Sequence, residues 1–242
     1  MPAPPAAPGC DRDQSMRVDT TTHRPTGMRS NARAGVLERL LVTDPRAATP
    51  DGTARITYRS ADLERIWTSA ARLRPVLVWT GTFTPAERLP LLFAALSAAS
   101  STLAPDQRPV LLLCGDQPRN GPTAAHPLAL AHTYNIADSV FVAGHRPRSQ
   151  LPTVYRASDA YITTAASDTS ATLWEAMVNG CPPIAVTGTA AKHAILNGGW
   201  DANGWTADPE PVYLAAAIAQ ACIAPAERAR RGAAAAAWIH RQ

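Results

Sequence analysis

Between Ser167 and Pro183 the chain reads Ser-Asp-Thr-Ser-Ala-Thr-Leu-Trp-Glu-Ala-Met-Val-Asn-Gly-Cys-Pro-Pro. Small hydroxyl and acidic residues precede a helix, and Asp168 or Thr169 supplies a side-chain oxygen to cap it. The amides of Ser170, Ala171 and Thr172 then have no acceptor within the helix and face an anion. Leu173, Ala176, Met177 and Gly180 share the sheet-facing side, which leaves Glu175 on another face. At roughly 1.5 Å rise per residue, Glu175 lies about 8 Å beyond the helix start, where the ribose of a nucleotide diphosphate would reach. Taken alone, the same residues also fit a capped helix with a solvated carboxylate.

The elements that must position this turn can be read from the apolar runs. Val76–Trp79, Val110–Cys114, Ser139–Ala143, Ala160–Thr164 and Pro183–Val186 are apolar almost throughout, and a short strand is expected at Gly204–Thr206. Helical spacing is expected over Ala61–Leu73, Pro85–Ser101, Pro127–Tyr134, Arg148–Arg156, Ser170–Asn179, Ala190–Leu196, Pro211–Cys222 and Ala226–Gln242. Uniformly apolar strands alternating with helices predict an α/β fold, a Rossmann-like parallel sheet with helices on both faces. Ligands of such sheets bind outside the carboxyl ends of the strands. Four strand ends carry suitable residues: Gly81, Gly115, Gly144 and the loop 164–170.

Composition narrows the function. The chain has 242 residues, 46% of them hydrophobic, and a net charge of +4, enough apolar material for a packed core without a strongly basic surface. Lys192 is the only lysine, so the positive charge is almost all arginine, and no basic run is interleaved with aromatics. A nucleic-acid partner is therefore not expected. Cys10, Cys114, Cys181 and Cys222 form no C-x-x-C pair, so neither a zinc site nor a redox motif is expected. The histidines lack metal-ligand spacing, and no metal or cofactor is assigned. No transmembrane or signal segment is read. A reducing cytoplasm is the simplest compartment. Residues 1–15 read as disordered, 28–57 as an irregular insertion with one short helix at Val36–Leu41, and 16–242 as the folded unit. Trp79 and Trp174 read as core, and Asp159 as a carboxylate that satisfies backbone groups at a strand entrance.

The segment from Tyr155 to Val186 resembles the donor-binding signature of the glycosyl transferases group 1 family, which has the GT-B fold. Val18-Asp19-Thr20 with Arg24-Pro25, Val78–Phe83, Leu112–Asp116, Val140–Gly144 and Asn203–Trp205 with Ala207-Asp208-Pro209 are similar to further motifs of that family, in its order. The resemblance implies the C-terminal, nucleotide-sugar-binding half of a retaining glycosyltransferase that moves a hexose to an unknown sugar, lipid or small-molecule acceptor. It implies that Glu175 holds the ribose hydroxyls, that Ser170–Thr172 hold the diphosphate, and that Gly144, His145 and Arg146 lie beside the nucleobase. Gly81 would admit the donor phosphates.

Two departures stand out. The family's strand-end arginine and the lysine about five residues later fall on Thr82 and Glu87, with Arg88 next to them. Its first glutamate falls on Ser167, with Asp168 adjacent as the remaining acid near the sugar. The start motif falls near residue 18, so the chain reads as an isolated donor half. Three alternatives follow: a fragment, a subunit completed by a separate N-terminal-half chain, or a non-catalytic relative. A dinucleotide oxidoreductase is excluded by the absence of a G-x-G-x-x-G turn.

Overall fold

The computed structural model describes residues 30–43, 58–67, 73–116, 125–165, 170–187 and 194–242. The 1–15 segment, the motif near Val18, the Ser167–Thr169 triplet and most of the expected 190–196 helix lie outside the described residues. Six strands form one parallel sheet: β1 (Val76–Thr82), β2 (Val110–Asp116), β3 (Val140–Val142), β4 (Ala160–Thr163), β5 (Pro183–Val186) and β6 (Trp205–Ala207). Their order is β3-β2-β1-β4-β5-β6, and every neighbouring pair is parallel. This is the doubly wound order in which the chain reverses direction across the sheet between β1 and β4.

The strands are apolar on both faces because both faces are covered. Leu77 and Trp79 point to the side of α2 (Leu89–Thr102), α3 (Pro127–Thr133) and α6 (Pro211–Ile223). Val76 and Val78 point to the side of α1 (Ser30–Glu38), α4 (Leu151–Ala157), α5 (Ser170–Val178) and α7 (Pro225–Ile239). Trp79 is fully buried, while Trp174 is partly buried against Trp238, with ring centroids 5.4 Å apart.

Asp159 ties α1 and α7 to the sheet. It accepts from Val76 N at 2.8 Å, from Arg33 at 2.5 Å and from Arg228 at 3.2 Å. It thus fills the backbone role that its place before β4 suggests, and holds two arginines as well.

Three expectations are corrected. The helix expected over Pro85–Ser101 is broken: a 3-10 turn spans Pro85–Glu87, Arg88 is left-handed at φ 51, and α2 starts at Leu89. Pro90 is the cause. It has no N–H for the Ala86 carbonyl, and its ring would clash there, so a helix begun at Pro85 cannot run through it. In place of a helix over Ala61–Leu73 there is a 3-10 turn over Ser60–Ile66, after which Trp67 bridges to Leu73. The supposed irregular insertion begins as α1 followed by a π-helical turn, Arg39–Thr43, and buries Val36, Leu37 and Leu41.

Candidate functional site at the strand ends

The sheet order brings the carboxyl ends of β3, β2, β1 and β4 side by side, with Gly81 paired to Gly115 and Thr82 to Asp116. Two glycines are needed here by close packing. A Cβ on Gly115 would lie 2.3 Å from the Gly81 carbonyl oxygen, and one on Gly81 would lie 2.7 Å from the Trp79 ring. The space beside Gly81 is therefore taken by Trp79 and by Glu87, whose carboxyl carbon would be 3.3 Å from that Cβ. Thr82 is exposed at the tip.

Glu87 thus stands at the rim of β1, where the resemblance expects a lysine. Its carbonyl accepts from Thr164 Oγ1 at 2.6 Å, which clamps the turn after β1 to the end of β4. Burial pushes its carboxyl up to about 7, because the charged form is poorly solvated against Gly81 and Trp79. Arg88 follows, half-buried.

α5 delivers Glu175. Leu173, Ala176 and Met177 bury the sheet side of this helix, as the spacing predicts. Thr172 Oγ1 is 3.0 Å from the Tyr161 hydroxyl, which fixes the first turn of α5 over β4. Tyr155, set edge-on to Tyr161 with centroids 6.0 Å apart, lies 3.3 Å from Thr80 Oγ1. Burial raises both phenols above their ordinary range, so they remain protonated at neutral pH. Thr80, Tyr155, Tyr161 and Thr164 were not legible as site residues. Their signal is a row of hydroxyl residues at strand ends and in α4, which a motif reading passes over.

Glu175 is not a solvated carboxylate, because its side chain is only 12% exposed. Arg148, on the turn before α4, donates from Nε to Glu175 Oε1. The amides of Ser170, Ala171 and Thr172 begin α5. Ser167, Asp168 and Thr169, named as candidates from the sequence, precede it and lie outside the described residues.

Gly144 adopts φ +73, a left-handed turn after β3 with open space where a Cβ would be. His145 is exposed beside it. Arg146 does not join them. It is buried, and its Nη2 donates to the Leu40 carbonyl in the π-helical turn after α1. A cavity of about 400 Å³ opens between this segment and the start of α4, lined by Val36, Arg39, Leu40, Ser149, Gln150 and Thr153.

Among the described residues no cluster of three His, Cys, Asp or Glu is placed to hold a metal. None of the described helices is long and apolar enough to cross a membrane.

Residues 70–238 match the model of the family described as "Glycosyl transferases group 1". Sucrose-phosphate synthase from Thermosynechococcus elongatus superposes with a TM-score of 0.61 at 21% identity, over 69% of this chain and 41% of that one. HepE (Alr3699) of Anabaena, solved with UDP and glucose, superposes at 0.58 and 18% identity, over 76% of this chain and 48% of that one. The C-terminal domain of a glycosyl transferase group 1 family protein (LpcC) from Francisella tularensis superposes at 0.59 and 14% identity, over 69% and 85%. The chain spans less than half the length of the first two. No curated protein matched the sequence.

Proposed function

The chain belongs to the glycosyl transferases group 1 family and carries the Rossmann-like architecture of one half of a GT-B fold, and from that premise we propose that its β1–β4 edge binds a nucleotide-diphosphate sugar. The ribose hydroxyls are held by Glu175, and the diphosphate lies on the amides of Ser170, Ala171 and Thr172 near Gly81, Thr82 and Arg88. The base lies beside Gly144 and His145. Asp168 remains the second acidic group offered to the sugar. In this reading a hexose is transferred with retention of configuration, without a resident metal, to an acceptor that another part of the enzyme recognises. That part is an N-terminal half, carried by a longer form of this chain or by a separate one. The cytoplasm suits the buried free thiols Cys114, Cys181 and Cys222.

The observation that carries the proposal is Glu175: a nearly covered carboxylate, held at the strand ends about one and a half turns into a helix whose first amides face the same edge. Hydrogen bonds to a charged group are worth about 1.5–3 kcal/mol. Glu175→Ala is therefore expected to weaken binding of the preferred nucleoside diphosphate by roughly tenfold or more. Isothermal titration with UDP, GDP, ADP and their sugars tests this. Absence of heat with every ligand at millimolar concentration would sink the proposal.

A second reading is favoured by one specific feature. Glu87 and Thr82 place an acid and a hydroxyl where the family's cations neutralise the leaving diphosphate, which weakens transition-state stabilisation. A domain that binds the nucleotide but does not turn it over fits that pair. Ligand binding without transfer or hydrolysis of a bound UDP- or GDP-hexose, with the acceptor half supplied, would distinguish it.

A further inference from the structure

The proposed nucleotide edge has a cation that neither the family motifs nor the strand ends supply. Arg148 sits on the turn between Gly144 and α4, and its Nε donates to Glu175 Oε1. The two side chains differ in exposure: 64% for Arg148, 12% for Glu175. A ligand approaching the carboxylate therefore meets the guanidinium first.

The other charges at the rim sharpen its role. The ends of β1 and β2 present Thr82, Glu87 and Asp116, and Arg146 is turned into the core. Arg88 and Arg148 are the arginines left there among the described residues, with exposed His145 as the third basic side chain. The guanidinium end of this ion pair is open to water while the carboxylate is covered, so Arg148 stays accessible to a ligand. A guanidinium has five N–H donors in a rigid fork. With Nε committed to Glu175, the Nη edge is held in a defined plane and has no other partner among the described residues. Such an edge matches two oxygens of a phosphate.

We propose that Arg148 binds the diphosphate of the nucleotide, replacing the cations missing after β1, and that Glu175 holds it in place while its second oxygen takes the ribose. This inference rests on the nucleotide reading above.

The test is an NMR titration, which reads millimolar affinities, of the wild-type chain, Arg148→Ala and Arg148→Lys with UDP, GDP, uridine and guanosine. Arg148→Ala is expected to weaken the diphosphate that binds by about tenfold, the scale of one charge-assisted hydrogen-bond pair, and to change the matching nucleoside by less than about twofold; Arg148→Lys recovers part of the loss. Equal loss for nucleoside and diphosphate would overturn the proposal and make Arg148 a positioning residue for Glu175. A gain for both would show that Arg148 obstructs the site, and no change would show that it takes no part. Wild-type chain that binds none of the four would instead remove the nucleotide reading itself, and this inference with it.

Discussion

Asp159→Ala is expected to lower stability by about 3 kcal/mol, the lower end of the range for removing one partner of a buried ion pair. The carboxylate is 11% exposed and its arginine partners Arg33 and Arg228 are 18% and 13% exposed. Its loss strands the Val76 N–H at the entrance of the central strand. The arginines keep some acceptors: Arg33 Nε retains the Ala157 carbonyl at 3.0 Å, and Arg228 retains those of Ala221 and Cys222. Those retained bonds are why the low end of the range applies. Chemical denaturation at constant m reads the change. Asp159→Asn keeps an acceptor for Val76 and should lose clearly less. A loss below about 1 kcal/mol for the alanine variant would mean that the two arginines anchor α1 and α7 without Asp159.

Glu87→Lys should tighten nucleoside-diphosphate binding roughly a hundredfold at pH 8. The substitution changes two unit charges beside the proposed phosphate site, each worth about 1–2 kcal/mol in the partly solvated rim. The wild-type chain should show the cause as a pH dependence. Glu87 is raised to about 7 by burial, so it is largely neutral at pH 6 and largely charged at pH 8. A bound polyanion prefers the neutral form, so affinity falls as pH rises through 7. Glu87→Gln removes that step, and comparing the two profiles cancels the ligand's own titration. The same shift acts on the fold. An unfolded glutamate titrates near 4.5, below the folded value, so the folded state binds the proton more tightly. Its contribution to stability is complete below pH 4.5 and is lost as pH rises through 7. Superimposable affinity profiles for the wild type and Glu87→Gln would place Glu87 away from the ligand.

The sheet was legible because its physics is one-dimensional. A strand buried on both faces must be apolar along its whole length, and Val76–Trp79, Val110–Cys114 and Pro183–Val186 are. Glu175 was legible because helix periodicity placed it off the buried face of α5. What escaped depends on partners distant in sequence. The break that Pro90 forces is a local exception, carried by the proline itself but hidden under the helical spacing over 85–101. The burial of Arg146 depends on the π-helical turn after α1, more than a hundred residues earlier, whose Leu40 carbonyl it meets. The covering of Glu175 depends on Arg148, and the raised carboxyl of Glu87 on the glycine-pair geometry of β1 and β2. None of these neighbours can be inferred from spacing along the chain.

The most direct test of the nucleotide-edge account is a crystal structure of the chain grown with millimolar UDP or GDP. The account predicts the ribose on Glu175, the diphosphate over the first turn of α5 within reach of Arg148, and the base beside Gly144. A nucleotide bound instead in the cavity of about 290 Å³ lined by Thr187, Trp205, Asp208, Tyr213 and Gln220, or an edge that stays empty of nucleotide at that concentration, would contradict it.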